Sequence, residues 1–114
     1  MSERRMFAKT ITESDAFLDM PLSTQALYFH LGMNADDDGF VNNARTIMRG
    51  IGATQSDLDE LKQFNYVHEF DSGVILIMHW KVHNYIQKDR YRPTSCVDEK
   101  NMVELVYNSA YVLK

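Results

Sequence analysis

One run, residues 39–80, constrains the fold of this chain more than any other. Gly39-Phe40-Val41 is short, apolar and strand-prone. Residues 43–49 then have a helical pattern, with Asn43 placed to cap and Ile47, Met48 and Ile51 placed to be buried. Gly52 suits the left-handed position that ends a helix. Thr54 follows as the cap of the next helix, with Asp57 in its first turn facing the helix dipole. Ala53 and Leu58 have staple spacing, and Leu58, Leu61 and Phe64 form an inward face. Residues 66–70, the turn Asp71-Ser72-Gly73 and residues 74–80 then read as a hairpin, Gly73 supplying what a short loop needs. In its second strand Val74, Leu76, Met78 and Trp80 alternate with Ile75, Ile77 and His79. Apolar residues on both faces predict a strand covered on both sides. Trp80 falls on the face of Leu76 and Met78, a placement that predicts packing near Phe29.

The helix before this run completes the pattern. Ser23 is a good N-cap, and Leu22 and Leu27 are spaced as a hydrophobic staple. Residues 26–33 are apolar on nearly every side, the mark of a buried central helix. His30 lies among them and reads as a packed core histidine. Helix, strand, helix, turn, helix and hairpin together predict a winged helix-turn-helix, mainly α with a small β-hairpin. Such a fold usually binds nucleic acid, protein partners or copies of itself. Ser14-Asp15-Ala16-Phe17-Leu18 is a short helical turn that Pro21 ends. Residues 98–107 predict a last helix burying Met102, Leu105 and Val106. The 114 residues form one domain by length, with residues 1–12 as an N-terminal arm and 95–114 as a C-terminal extension. The arm sets Arg4, Arg5 and Lys9 around Met6, Phe7 and Ile11, and is either an added strand or a loose basic tail.

Several function classes are disfavoured. No apolar run approaches the roughly 18–20 residues that span a bilayer, and the start has no apolar stretch of a secretory signal. A single cysteine, Cys96, leaves no internal disulfide and fits a reducing cytoplasm. Asp36-Asp37-Asp38-Gly39 lacks the alternating ligands and distant Glu of a calcium loop and reads as turn chemistry. His79 and His83 are four apart, but no third zinc ligand stands at a recognisable spacing. No nucleophile elbow, Gly-rich phosphate loop or Cys-His pattern occurs, so neither an enzyme nor a cofactor is expected.

Charge placement carries the rest. The net charge of −4 is not that of a simple nucleic-acid binder. Yet residues 81–92 hold Lys81, Lys88, Arg90 and Arg92 against Asp89 alone, with Tyr85 and Tyr91 interleaved. The cations can neutralise phosphates and the tyrosines can stack on bases. A solvated loop tucking Tyr85, Ile86 and Tyr91 into the core is the other reading of that segment. Arg45 and Arg49 share one face of the second helix and add two further phosphate candidates. The third helix, which in this fold normally enters the major groove, instead carries Asp57, Asp59 and Glu60 against Lys62. Those carboxylates would repel DNA and suit a protein partner.

The segments Asp15-Ala16-Phe17-Leu18-Asp19-Met20-Pro21-Leu22-Ser23-Thr24-Gln25-Ala26-Leu27-Tyr28-Phe29-His30-Leu31, Ala35-Asp36-Asp37-Asp38-Gly39-Phe40-Val41 and His79-Trp80 through His83-Asn84-Tyr85-Ile86-Gln87-Lys88-Asp89-Arg90-Tyr91 resemble the phage replisome organiser N-terminal domain. That family comprises phage and prophage replication-initiation proteins related to DnaD-type primosomal proteins. The resemblance covers residues 5–94. It implies a winged-helix domain acting in origin recognition or helicase loading, with a second domain beyond it. It implies DNA, single- or double-stranded, a helicase loader and further copies of the chain as partners, and no catalytic residues. The alternative is a self-associating scaffold of the replisome that does not touch DNA.

Overall fold

The computed structural model describes residues 4–106 and 110–114. Among these it holds seven helices and two small antiparallel sheets. In chain order they are α1 Lys9–Thr12, α2 Asp15–Leu18, α3 Leu22–Met33, β1 Phe40–Val41, α4 Ala44–Ile51, α5 Gln55–Gln63, β2 Val67–Glu69, β3 Ile75–Ile77, α6 Trp80–His83, α7 Val97–Lys100, β4 Val103–Leu105 and β5 Tyr111–Leu113. No helix among the described residues is long and apolar enough to cross a membrane.

Helix α3 is central, but only one stripe of it is buried: Thr24, Leu27, Tyr28, Leu31 and Gly32. His30 is exposed and Met33 nearly half exposed, so the all-round burial expected of residues 26–33 is corrected. Packing comes from the stripe and from Phe29, whose ring meets those of Phe7 and Phe17 edge-on. Pro21, not Ser23, occupies the N-cap. Leu22 is 82% exposed, so no staple forms.

The hydroxyl of Ser23 serves the neighbouring helix instead. It donates to Asp57 Oδ1 at 2.7 Å, and Thr24 Oγ1 donates to the same oxygen at 3.0 Å. Asp57 Oδ2 accepts from the Thr54 amide at 2.9 Å, while Thr54 Oγ1 accepts from the Asp57 amide. This capping box satisfies orphan donors at the start of α5, and the same carboxylate ties α5 to α3. Gly52, at φ 75°, takes the expected left-handed position after α4. Asn43 stands at the N-cap of α4 without a side-chain capping bond. Ile51 and Phe64 lie at helix ends and are exposed, against the inward placement expected of them.

The first sheet has the order β1-β3-β2, with Phe40 opposite Leu76 and Val67 opposite Ile77. Ile75, Leu76 and Ile77 are fully buried, as the apolar character of both strand faces implied. Gly73, at φ 90°, closes the turn between β2 and β3 by donating its amide to the Phe70 carbonyl. The strand expected to run to Trp80 stops at Ile77, and the chain bends at His79 into α6. Trp80 is buried against the turn before β1. Its indole N–H donates to the Asp37 carbonyl at 2.9 Å, and a Cβ on Gly39 would lie 2.6 Å from its ring. The expected neighbour, Phe29, belongs to the aromatic cluster around Phe7 and Phe17.

The helix expected over residues 98–107 is corrected to one turn, α7, followed by β4 paired with β5. Tyr107 lies outside the described residues. Val103 and Tyr111 face inward, whereas Met102 and Leu105 are about half exposed. A helix would have needed Met102, Leu105 and Val106 on one buried face. Here Val103 alone of β4 is buried, and the Tyr111 amide donates to the Met78 carbonyl, joining the second hairpin to the first.

Candidate nucleic-acid interface

The acidic turn Asp36-Asp37-Asp38 builds the site. Asp36 Oδ1 accepts from the amides of Asp38 and Phe40 at 2.9 and 3.0 Å, an Asx-type turn as the sequence implied. Its other oxygen accepts from the Thr94 hydroxyl. Asp37 pairs with the Arg5 guanidinium at 3.1 Å and accepts from the Arg92 amide at 3.0 Å. Asp38 is buried. It accepts from the Tyr91 hydroxyl at 2.8 and 2.6 Å, from the Thr94 amide at 2.9 Å and from Lys100 Nζ at 3.3 Å, with Lys81 Nζ at 3.9 Å. The three carboxylates therefore clamp the segment after α6 onto the sheet. Among the described residues, no group of three or more His, Cys, Asp or Glu is set to hold a metal.

The other end of that segment is held by the N-terminal arm. Asn84 accepts from the Met6 amide at 2.8 Å and donates to the Met6 carbonyl at 3.2 Å. His83 Nδ1 accepts from the Ala8 amide at 2.8 Å, and His83 Nε2 lies 2.5 Å from the Tyr28 hydroxyl. An Nδ1 that accepts leaves the ring proton on Nε2, directed at Tyr28. Burial, and then the neighbouring His79, push the His83 imidazole down to about 4. His79 is likewise pushed down by burial. Over its described residues, 4–12, the arm is thus neither an added strand nor a loose tail. Side chains pin it, and the Phe7 ring fills the space over Gly32.

The expected phosphate contacts separate into three sets. Lys88, Arg90 and Arg92 are exposed on the loop. Lys81 leans toward Asp38 and over the Tyr91 ring, 5.6 Å from its centroid. On α4, Arg49 is exposed, while Arg45 bonds to Gln55 and pairs with Glu69 at 3.3 Å. Lys62 pairs with the same Glu69 at 2.8 Å. The two tyrosines also separate. Tyr85 is 83% exposed. Tyr91 has Lys81 and Lys100 over its ring and its hydroxyl committed to Asp38, so it also serves as a structural strut. Burial raises its phenol, with the Asp38 bond adding to the shift.

Of the acidic trio on α5, Asp57 is buried and satisfied, which corrects its expected exposure. Its carboxyl is held below the usual range, first by the Thr54 amide and then by the hydroxyls of Ser23, Thr24 and Thr54, against the opposing effect of burial. Asp59 accepts from Gln55 at 2.9 Å and remains exposed, and Glu60 is half-buried.

A cleft of about 680 Å³ opens between the arm and the loop, lined by Arg5, Asp37, Tyr85, Ile86, Gln87, Asp89, Arg90, Tyr91 and Arg92. A smaller hollow of about 280 Å³ also has Tyr91 in its wall, together with Asp38, Lys81 and Lys100. Arg5 was not among the sequence candidates. Its side chain is 3% exposed and lies 5.2 Å from the Trp80 ring centroid. A basic residue two before Phe7, the arm's one aromatic residue, was the available signal. Comparison of the chain with protein-family models, with curated proteins and with solved structures finds no match.

Proposed function

We propose that this chain is a winged-helix domain of a phage-type replication-initiation protein that binds DNA through the loop of residues 81–92. The fold reading is supported by the succession α3, β1, α4, α5, β2, β3 and by the sheet order β1-β3-β2, in which the first strand pairs with the last. The replication reading is supported by the resemblance of residues 5–94 to the phage replisome organiser N-terminal domain. Its partners are then DNA, a helicase loader and further copies of the chain.

The observation that carries the DNA reading is the state of the cations. Lys88, Arg90 and Arg92 stand exposed on a loop whose ends are fixed by Asn84 and by Asp38. Cations on a fixed segment meet phosphates without first paying to order the chain. Helix α5, in contrast, exposes Asp59, and the basic groups nearest it are answered by Glu69.

The test is a DNA titration across salt concentrations. Each phosphate contact contributes a slope of about 0.9 in the log–log salt dependence on duplex DNA. Changing Lys88, Arg90 and Arg92 together to Ala should weaken binding across all sequences and flatten that slope by about 2–3. A triple variant that binds with the unaltered slope would refute the loop as the contact. Glu69 pairs with both Arg45 and Lys62 and offsets one of their two charges; with Asp59 exposed beside them, this favours the second reading, a scaffold docking a protein through the α5 edge. An unaltered chain that binds no DNA at low salt would leave that reading in its place.

A further inference from the structure

We propose that the cleft between the N-terminal arm and the loop is a subsite for one nucleotide of single-stranded DNA, its base laid on Tyr85 and its phosphate met by Arg90 and Arg92. This rests on the DNA reading above and adds the form of the ligand.

Size comes first. About 680 Å³ falls within the roughly 300–1,000 Å³ of small-ligand sites, and a single nucleotide fits such a space. The wall then supplies both halves of nucleotide chemistry. Tyr85 offers an aromatic face at 83% exposure, and Arg90 and Arg92 offer two exposed guanidinium groups in the same lining. Arg5 is a buried wall whose charge is matched by Asp37. With Asp89 set against the two exposed arginines, the lining keeps a net positive charge.

The ligand's form follows from what each DNA form can present. A base can lie on Tyr85 only if it is unpaired and splayed out, and single strands provide this at every position. The cleft is also fixed before binding. Asn84 ties the residue before Tyr85 to the arm, and Asp37 and Asp38 hold residues 91–94. A platform held at both ends loses little freedom on binding.

The experiment is a fluorescence-anisotropy titration of the whole chain at low salt. The probes are a labelled oligothymidylate, an abasic oligomer of the same length and a duplex of the same length. Tyr85 is exposed, so Tyr85→Ala should fold, and circular dichroism checks that it does. Tyr85→Ala should weaken oligothymidylate binding roughly 5- to 150-fold, the range for loss of one base–aromatic stack, and Tyr85→Phe should retain it. Neither change should alter binding of the abasic oligomer or the duplex. Equal affinity for abasic and base-bearing strands, or a Tyr85→Ala variant indistinguishable from the unaltered chain, overturns the subsite. If duplex binding nevertheless persists and depends on Lys88, Arg90 and Arg92, the DNA reading stands without it. If no probe binds, both fall.

Discussion

Replacing Asp38 by Asn tests the clamp on which the proposed interface depends. The Asp38 side chain is 3% exposed, and it faces donors: the Tyr91 hydroxyl, the Thr94 amide and two lysine ammoniums. Asn keeps one acceptor oxygen and turns an N–H toward the remaining donors. One charge-assisted bond is lost and another becomes neutral, and bonds to a charged group contribute about 1.5–3 kcal/mol each. Lys100 and Lys81 are 43% and 26% exposed, so water screens their pairs and they add less than about 1 kcal/mol. The expected cost is about 2–4 kcal/mol, a large part of the roughly 5–15 kcal/mol that holds a domain folded. With a urea slope near 2 kcal/mol/M, the unfolding midpoint should fall by about 1–2 M. The assay is urea denaturation followed by the fluorescence of Trp80, the single tryptophan. Asp89→Asn, at an exposed position in the same loop, is the control and should stay within about 0.5 kcal/mol. An Asp38→Asn midpoint equal to that control would refute the clamp.

Two further outcomes are expected. Gly39→Ala should melt several degrees below Gly73→Ala: both have positive φ, but only at Gly39 does the new Cβ meet the Trp80 ring, adding about 1–3 kcal/mol of overpacking. Equal melting temperatures would place Trp80 elsewhere. Because the folded chain holds the His83 imidazole down to about 4 while the ordinary value is 6.5, the unfolded chain binds the extra proton between those values. Stability should therefore fall as pH drops through that window and be level above it. His83→Asn should flatten this dependence between pH 7 and 5 by up to about 1.4 kcal/mol per pH unit, leaving the part due to His68 and His79, both also pushed down chiefly by burial. Melting curves across pH check it, and identical slopes would refute the neutral, accepting imidazole.

Local signals in the sequence determined the parts that depend on neighbours along the chain. Gly52 and Gly73 mark backbone positions that a side chain disfavours. Thr54 and Asp57 close a capping box over three residues. The short β-branched run around Leu76, bounded by the Gly73 turn, points to a strand covered on both faces, and β3 is that strand. The concentration of cations and tyrosines after Trp80 was also legible, because composition alone reveals it.

Tertiary structure decided which of those groups are free. Asp36, Asp37 and Asp38 read locally as a turn, yet their unused carboxylate oxygens hold Thr94, Arg5, Arg92, Tyr91 and Lys100, residues far along the chain. That pairing gives Tyr91 a strut's role and leaves Tyr85 as the more exposed ring of the loop. Asp57 likewise looked like an exposed partner contact until Ser23 and Thr24 of α3 met it. Residues 98–107 misled because apolar spacing fits a helix or a short hairpin equally well, and Tyr111, paired opposite Leu105, found burial against Phe40 of β1 and the Asp38 turn. A buried polar group must be paired, but its partner can come from anywhere in the sequence. Spacing along the chain therefore fixes caps and turns, while only the folded arrangement shows which charges remain for a ligand.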